Sequence, residues 1–385
     1  ARGFRAPAQM IVGRALGDYV WDVDDNRFID FQNGWATNPL GNCHPEIIEA
    51  VHSAHLRYGF HWEHPLRIEL AEKLASIMPG GALPRFSFEV SGTEAAESAI
   101  HLALCYTRRR YIISFTSCFH GEGLGTKMVG AYDSDNNLYM EAWAGGVLKA
   151  PFPYSQDIPA GMSREQYEEY CLWYLRKHIP DYVVPAENIA GIIIEPGLAE
   201  GGNWIPGRDF FRGVRDICDE FDWLMIADEV LTGLGRTGRM WSVEHYDVIP
   251  DILVAGKNLS GGVEPCAGVA ARDEILGDNP RASAGSTFAG TPAGCAAALK
   301  TLEIYERDNV IAHAARLAER ASERMQDWPT RYGIVGEVRS LGLLMGVSFT
   351  SAEESAEDFH LARSVRDEML RRGVWAICDN EPQVR

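Results

Sequence analysis

The sequence predicts an α/β protein with a mainly parallel central sheet covered by helices, and with a smaller α+β domain. The first observation is a set of short apolar runs without alternation, which is typical of strands buried on both faces. The second is the helical pattern between these runs, which supplies the crossovers that parallel strands require. The third is a change after about residue 291 to longer amphipathic helices. The runs are FSFEV, YIISF, GIIIEP, WLMIADEV and DILVAGK.

Three segments follow from these patterns. Residues 1–43 are predicted to form a β-rich segment, because YVWDVDDNRFIDF alternates apolar and polar positions around a turn at Asp24–Asn26. Residues 44–292 are predicted to form the large domain, with a helical crossover at Arg208–Phe221. Residues 293–385 are predicted to form a C-terminal small domain that includes the strand-like VRSLGLLMGVSF. The other expected helices are Pro45–Tyr58, Pro65–Ile77, Ala293–Glu306, Val310–Trp328 and Phe359–Arg372.

The overall composition is that of a folded protein. Of 385 residues, 46% are hydrophobic and 23% are charged, unlike a disordered, fibrous or membrane-spanning chain. The net charge of −18 argues against phosphate-backbone binding, so we expect no nucleic-acid partner. No apolar stretch approaches 18 residues, and ARGFRAPAQM lacks the apolar core of a signal peptide, so we expect no membrane association.

Cysteine usage points to an intracellular chain. The eight cysteines are scattered without a CxxC pair. That spacing argues against a zinc site and against a dense disulfide framework. We therefore expect no metal and a reduced, cytoplasmic compartment.

Three of the apolar runs end in an ionisable residue: Glu195 after GIII, Asp228 after WLMIA and Lys257 after DILVAG. In open α/β sheets the ligand crevice lies at the carboxyl ends of the strands, so these residues can converge although they are distant in sequence. Each carboxylate taken alone is equally consistent with a helix cap or an ion-pair partner.

Lysine is scarce, with six residues against 30 arginines, and Lys257 has the most apolar setting of the six. Burial is costly for an ammonium group and lowers the pKa of a lysine toward that of a nucleophilic amine. A buried amine facing the strand-end Asp228 suggests Schiff-base chemistry with a pyridine cofactor, whose ring nitrogen needs an anionic partner.

The segment SFEVSGTEAAESAIHLAL predicts an anion site. A strand runs through Ser91-Gly92-Thr93 into a helix that begins near Glu94, which leaves backbone N–H groups at a helix N-terminus. A capping box with Ser91 and Glu94 is the alternative, and the two interpretations are compatible. Neither G-x-x-x-x-G-K-[ST] nor a strand-to-helix G-x-G-x-x-G is present, which disfavours a nucleotide.

From about Tyr19 to about Phe349 the chain resembles the class III aminotransferases, which are pyridoxal-phosphate enzymes of fold type I. The resemblance implies pyridoxal 5'-phosphate as cofactor and a ping-pong transfer of an amino group from an amine to a carbonyl acceptor. The segments that carry it, in order, are SGTEAAESA, FHGE, IIIEPGLAEGG, ADEVLTGLGRTGRMW, PDILVAGKNLSGG and GSTFAGTPAGCAAA.

The same resemblance implies roles for the residues around the cofactor ring. Lys257 is similar to the lysine that holds the cofactor as a Schiff base and then moves the substrate proton. Asp228 resembles the partner of the pyridinium nitrogen. Val230 would pack on one face of the ring and Phe119 would stack on the other.

Gly92 and Thr93 match the family's phosphate-binding turn. Thr287 resembles a threonine that reaches the phosphate of the neighbouring subunit, which implies a homodimer. Glu200 lies where many relatives carry a glutamate that pairs with a C-terminal arginine, and Arg385 is the candidate for that arginine. An ordinary surface arginine is the alternative for Arg385.

The substrate side is predicted more broadly. Leu198 and Leu231 stand where relatives often have glutamine, so we expect a substrate that differs from the commonest ones. Trp35 and Trp62 lie where relatives bind substrate, and aromatic residues mixed with acid suit a primary amine such as an ω-amino acid, diamine or amino sugar. Aromatics at a dimer interface are the alternative. The other candidates in that region are His61, Glu63 and His64.

Two rival functions share these motifs. One is a non-transaminating relative, namely a decarboxylase, racemase or epimerase, aminomutase or phospho-lyase. The other is a non-catalytic protein that binds pyridoxal phosphate, which is disfavoured because loss of catalysis would relax the need for Lys257.

Overall fold

The computed structural model describes residues 10–59, 63–131, 145–154, 158–277, 285–350, 359–378, 383 and 384. The described strands form sheets of seven, four and three strands. In chain order they are β1 Val12–Leu16, β2 Tyr19–Asp22, β3 Arg27–Asp30, β4 Arg85–Glu89, β5 Tyr111–Phe115, β6 Val147–Ala150, β7 Ile189–Ile194, β8 Leu224–Asp228, β9 Ile252–Ala255, β10 Ala267–Ala271, β11 Val335–Leu341, β12 Leu344–Phe349, β13 Val374–Trp375 and β14 Gln383–Val384.

The α-helices begin at residues that favour helix starts. Proline occupies the first turn of α1, α2 and α8, and the Ser91 side chain caps α3 by accepting from the backbone N–H of Glu94. A π-helical segment, Tyr174–Val183, continues α5. The helices are α1 Pro45–Arg57, α2 Pro65–Ile77, α3 Gly92–Thr107, α4 Leu124–Val129, α5 Arg164–Trp173, α6 Arg208–Phe221, α7 Asp273–Leu276, α8 Pro292–Arg307, α9 Val310–Met325, α10 Trp328–Arg331 and α11 Phe359–Arg371.

The seven-stranded sheet has the order β4-β10-β9-β8-β7-β5-β6. The pairs from β9 to β6 are all parallel, and only β10 among these strands runs antiparallel to its neighbours β4 and β9. Because two reversals cancel, β4 points the same way as β7, β8 and β9. The prediction of a mainly parallel sheet is confirmed, and the carboxyl ends of these four strands share one edge.

Both faces of this sheet are buried, which explains the runs without alternation. On one face the strand residues pack against the alanine-rich side of α3. On the other face they pack against α2 and α6, where Phe210 and Phe211 are fully buried. Burying each of these two rings stabilises the fold by roughly 1.5–3 kcal/mol.

One of the two smaller sheets combines strands from both ends of the chain, and the other is built from C-terminal strands. β13 pairs in parallel with β3, with Val374 opposite Ile29, so strands from the N- and C-terminal segments share one sheet. The segment VRSLGLLMGVSF was expected as one strand but contributes to two, β11 and β12. The chain reverses at Gly342, whose φ of 62° favours glycine.

Within the described part of the chain, the helices are all too short or too polar to cross a membrane.

Candidate active site

The shared strand edge brings the predicted ionisable residues together. Asp228 is the last residue of β8, Glu195 directly follows β7, and Lys257 follows β9 after one glycine. Asp228 and Glu195 are 5% and 4% exposed, and Lys257 is partly buried. Three buried or half-buried charges at one edge form a site that water screens poorly.

Asp228 is fixed from two directions. Its Oδ2 lies 2.7 Å from Nδ1 of the buried His120, and its Oδ1 accepts a hydrogen bond from the backbone N–H of Val230 at 3.1 Å. Burial of the imidazole opposes its protonation, but the Cys118 side chain and the hydrogen bond to Asp228 outweigh burial and raise the pKa of His120.

Glu195 ties two loops to the strand edge. Its Oε1 accepts from the backbone N–H of Phe119 at 2.8 Å, and its Oε2 accepts from the N–H of Ala199 at 3.0 Å. Burial raises the pKa of Glu195 to about 7, while the nearby His120 acts in the opposite direction. The Glu195 carboxyl therefore anchors the backbone of both loops, and it lies close enough to Asp228 for the two charges to interact.

Lys257 begins a short 3₁₀ turn with a left-handed φ of 42°. Burial lowers the pKa of the Lys257 ammonium, and Arg236 lowers it further, whereas Glu200, Asp228 and Glu195 favour the protonated form. A lysine with a lowered pKa at a strand edge is an amine suited to nucleophilic attack on a carbonyl. The sequence-based expectation for the pKa of this residue agrees in direction.

The N-terminus of α3 lies against Val230. A Cβ on Gly92 would lie 2.6 Å from Val230 Cγ1, so only glycine lets the two backbones approach this closely. A Cβ on Gly256 would lie 3.4 Å from the same methyl group, which places the residue before Lys257 in the same cluster. The first-turn N–H groups of α3 have no intrahelical acceptor, so they suit an anion such as a phosphate.

The segment Phe119–Glu122 closes the site from the side of β5. Thr93 Oγ1 accepts from the backbone N–H of Glu122 at 3.2 Å. A Cβ on Gly121 would meet Thr93 Oγ1 at 2.6 Å, and Gly121 has a φ of 130°. The structure therefore places Phe119, Gly92 and Thr93 in one cluster with Lys257 and Asp228.

Trp35 lies in a left-handed turn. All four residues from Asn33 to Ala36 have φ between 55° and 62°. Left-handed helical conformation costs about 1–2 kcal/mol for each residue that carries a Cβ, so contacts elsewhere must stabilise this turn. The Asp30 carboxylate accepts from the N–H of Asn33 at 2.8 Å, and the hydroxyl of Thr37 donates to the carbonyl of Gly34 at 2.6 Å.

Arg236 joins that turn to the lysine segment. Its Nη2 donates to the carbonyl of Ala36 and to Oδ1 of Asn258, each at 2.7 Å, and its Nε donates to the carbonyl of Leu231 at 3.1 Å. Because Asn258 directly follows Lys257, the Trp35 turn lies beside the lysine although Trp35 is 39% exposed.

Glu200 lies on a loop after β7 that is held at both ends. Leu198 and Trp204 form an antiparallel bridge, and Asn203 Nδ2 donates to the carbonyl of Met345 at 2.6 Å. The guanidinium of Arg339 lies 3.6 Å from the centroid of the Trp204 ring. The negative charge of Glu200 on this loop acts to raise the pKa of Lys257 and so opposes the effect of burial.

The remaining predicted substrate and interface residues are placed differently. His64 caps α2 through Nδ1 and lies 3.0 Å from the carbonyl of Gly290 through Nε2, and Glu63 pairs with Arg67 on the surface. Thr287 is exposed, on a turn next to the N-terminus of α3. His61, Trp62 and Arg385 lie outside the described residues.

Three residues at the site were missed by sequence reasoning: His120, Arg236 and Arg339. His120 follows Phe119 in FHGE, and Arg236 lies in GLGRTG, so the motifs marked the segments. His120 contacts Asp228, 108 residues away in sequence, and Arg236 contacts Ala36, 200 residues away. No local pattern reveals contacts between residues so distant in sequence.

These residues fit pyridoxal phosphate. Asp228 could supply an anion for a pyridinium nitrogen, Lys257 could supply the amine for the carbonyl carbon, and the N-terminus of α3 at Gly92 and Thr93 could supply donors for the phosphate. Val230, which lies beside Gly92 and Gly256, and Phe119 are both half-buried and could supply apolar surface for the ring.

Comparison with known proteins leads to the same chemistry. A family model described as Aminotransferase class-III matches residues 3–385. The chain is 31% identical over 351 residues to 5-aminovalerate aminotransferase of Pseudomonas aeruginosa, covering 90% of this chain and 80% of that protein. It is also 31% identical over 360 residues to leucine/methionine racemase of Thermococcus litoralis, covering 91% and 79% of the two chains.

A solved structure shows the same architecture. An amine transaminase from an uncultivated Pseudomonas species, in its form with bound pyridoxal phosphate, matches with a TM-score of 0.89 at 26% identity and covers 99% of this chain and 91% of that chain. The family match spans nearly the whole chain and agrees with the strand-edge site. The protein therefore belongs to the class III aminotransferases, fold type I enzymes that depend on pyridoxal phosphate.

Proposed function

We propose that this aminotransferase takes the amino group of a primary amine, with ω-amino acids as the first class to test. The observation that carries the proposal is the convergence of Lys257, Asp228 and the N-terminus of α3 at one sheet edge. A relative named for 5-aminovalerate supports the substrate class, because that compound carries its amine far from its carboxylate.

Each residue has a defined task in this proposal. Pyridoxal phosphate, when bound, supplies an electron sink for the carbon that carries the amine. Lys257 Nζ holds the cofactor and moves the proton at that carbon, and Asp228 keeps a negative charge beside the ring nitrogen. Gly92 and Thr93 bind the phosphate, while Val230 and Phe119 hold the two faces of the ring.

The charges around Lys257 support an amine donor that is cationic before it reacts. Glu200 and Glu195 both favour a positive charge at this edge of the sheet. In the proposal Glu200 and Trp35 contact the substrate. Trp62 and Arg385 are proposed to contact it too, with Arg385 pairing with Glu200 in the absence of an α-carboxylate. Diamines and amino sugars are the next classes to test.

We further propose a homodimer in the cytoplasm, with residues 44–292 as the cofactor domain and residues 1–43 and 293–385 as the small domain. Large apolar side chains are exposed on the single chain, including Phe31 at 66% and Phe288 at 58%, and burial in a dimer would remove them from water. Thr287 is adjacent to Phe288, in keeping with a role toward the neighbouring site. Eight free cysteines are consistent with a reduced compartment.

A racemase is the second candidate, because one relative at 31% identity bears that name. A racemase returns the proton to the opposite face of the carbon and needs no carbonyl acceptor. The residues that hold the cofactor are the same in both cases, so kinetics must distinguish the two functions.

The decisive experiment is a half-reaction screen. Purified protein loaded with pyridoxal phosphate is mixed with one amine and no acceptor, and pyridoxamine phosphate is measured by chromatography. The panel contains 4-aminobutyrate, 5-aminovalerate, ornithine, diamines, α-amino acids and amino sugars. We expect stoichiometric pyridoxamine phosphate with an ω-amino acid. Conversion of an L-amino acid to its D form with the cofactor unchanged would instead establish the racemase.

Two controls test the site and the dimer. Lys257→Ala should give no product with any amine, and persistence of transamination would refute the assignment of Lys257. If Thr287 serves the neighbouring subunit, co-refolding inactive Lys257→Ala with a Thr287→Ala variant should restore sites that contain both wild-type residues. Activity no higher than that of the Thr287→Ala protein in the mixture would refute the shared site.

A further inference from the structure

We propose that Arg236 is a positioning residue that fixes the left-handed turn Asn33–Ala36, and with it Trp35, against the segment that follows Lys257. The inference rests on the proposed function only in giving Trp35 a contact with substrate. The placement of the turn itself is independent of that role.

A single nitrogen of Arg236 bridges two segments that are distant in sequence. Nη2 of Arg236 donates to the carbonyl of Ala36 and to Oδ1 of Asn258, each at 2.7 Å. The Ala36 carbonyl belongs to the last residue of the left-handed turn, and Asn258 is bonded covalently to Lys257. A shift of either segment alone would therefore break one of these two hydrogen bonds.

The side-chain amide of Asn258 is held in one orientation. Asn258 is 2% exposed, and its Nδ2 donates to the carbonyls of Gly233 and Leu234 at 3.3 Å. With the amide nitrogen committed to two carbonyls, Oδ1 must face Arg236. The guanidinium is thus anchored on the lysine side by a rigid acceptor.

The left-handed turn Asn33–Ala36 depends on side-chain contacts for its stability. Trp35 and Ala36 carry a Cβ in the left-handed region at φ 60° and 62°, where the local backbone preference opposes the observed conformation. Asp30 and Thr37 stabilise its first half. Arg236 stabilises its last residue, next to Trp35.

The chemistry of this contact requires an arginine-like group. All three acceptors of Arg236 are uncharged, and partial burial lowers the pKa of the guanidinium to about 10. A planar fork can donate to Leu231 through Nε while Nη2 serves the other two acceptors. Lysine can donate to some of these acceptors but cannot reproduce that geometry.

The test measures the turn directly by amide hydrogen exchange. Peptides covering residues 33–38 are followed in Arg236→Gln, Arg236→Lys and wild-type protein, with and without pyridoxal phosphate. Since hydrogen bonds from charged groups are the stronger class, we expect exchange at Ala36 and Thr37 to be about tenfold faster in Arg236→Gln, with Arg236→Lys intermediate. Arg239→Gln is the matched control, because Arg239 lies in the same segment and is exposed.

A kinetic readout distinguishes positioning from general destabilisation. We expect KM for the amine to rise about tenfold in Arg236→Gln while kcat falls less than KM rises, and Arg239→Gln to match wild type. Equal exchange and equal KM in the Arg236 and Arg239 variants would overturn the proposal. Faster exchange throughout the chain would overturn it too, because the effect would not be confined to the turn.

The role of Arg236 can still be tested if Arg236→Gln does not fold or if the protein shows no aminotransferase activity. If Arg236→Gln does not fold, Arg236→Lys is judged by the same criteria against Arg239→Lys. If wild-type protein reacts with no amine in the half-reaction screen, the proposed function fails. The exchange rates of the turn in the unloaded protein still decide whether Arg236 fixes it.

Discussion

Replacing Gly92 by alanine tests how closely the phosphate-binding turn must approach the strand edge. A Cβ at this position would lie 2.6 Å from Val230 Cγ1 and 3.1 Å from Cγ2. Rotating the valine cannot remove both methyl groups from the new atom, so either α3 or Val230 must move. We expect Gly92→Ala to weaken the binding of pyridoxal phosphate by about 5- to 150-fold, from an overpacking cost of about 1–3 kcal/mol.

The same geometry predicts a rescue. Val230→Ala removes both γ carbons and leaves Cβ at 3.5 Å from the new methyl group, which is ordinary contact. Val230→Ala alone should weaken cofactor binding by removing apolar surface from one ring face. The double variant should be no weaker than Val230→Ala, so a double-mutant cycle should give a favourable coupling of about 1–3 kcal/mol.

Fluorescence titration of the unloaded protein with pyridoxal phosphate measures these affinities, and thermal unfolding verifies that each variant folds. Gly333→Ala is the matched control, because its Cβ would meet no atom within 4 Å. The reasoning is refuted if the double variant loses the sum of the two single losses, since the Gly92 effect would then not arise from contact with Val230.

Three further predictions concern buried acidic residues. Asp228→Asn should lower kcat by about 100-fold or more in a steady-state assay, because an amide supplies no negative charge for the ring nitrogen. Glu229→Gln should flatten the pH dependence of the unfolding free energy. Burial raises the pKa of Glu229 in the folded protein to about 7 from 4.5. The contribution of this residue to stability therefore falls by up to about 3 kcal/mol as the pH rises from the lower pKa to the higher one. Asp251→Ala should lower the unfolding free energy in urea by about 3–5 kcal/mol, because it leaves the buried end of Arg215 without its carboxylate.

Each of these has a contrasting outcome. Wild-type kcat in Asp228→Asn would remove that residue from the cofactor site. A pH profile of Glu229→Gln that parallels wild type would show that other carboxyls set the slope. Asp247→Asn removes the charge from the ion pairs with Arg208 and Arg212, which are more than half exposed on the Asp247 side, and asparagine tolerates the left-handed φ of 52° at this position. It should therefore cost less than about 1 kcal/mol, and a larger loss than in Asp251→Ala would contradict the role of burial.

The interior of the sheet was predictable from local pattern. A run that is apolar at nearly every position, such as that of β7, β8 or β9, is stable only between two covered faces, so its position and its burial could be predicted together. The orientation of β10 was not predictable, because AGVAA carries no signal for strand direction. Direction depends on which neighbours the strand meets, and that is a property of the whole chain.

The site was predictable where its residues lie at strand ends. Asp228 and Lys257 could be found because the end of a parallel strand is itself a functional position. The left-handed turn at Trp35 could not, since tryptophan and alanine disfavour that conformation locally and distant contacts with Arg236 stabilise it. The same holds for His120 on the loop after β5, whose partner Asp228 ends β8, 108 residues further along the chain.

The reversed strand β10 has a consequence for the length of ligand that this edge accepts. β10 separates β4 from β9 in the sheet, yet the helix that begins after β4 returns to the end of β9, where a Cβ on Gly256 would lie only 3.6 Å from the Cα of Gly92. The N-terminus of α3 and the segment that carries Lys257 therefore lie in van der Waals contact across the reversed strand. The anion-binding helix end and the amine are held at a short, fixed separation, which suits a compact ligand whose anionic group lies close to its reactive carbonyl.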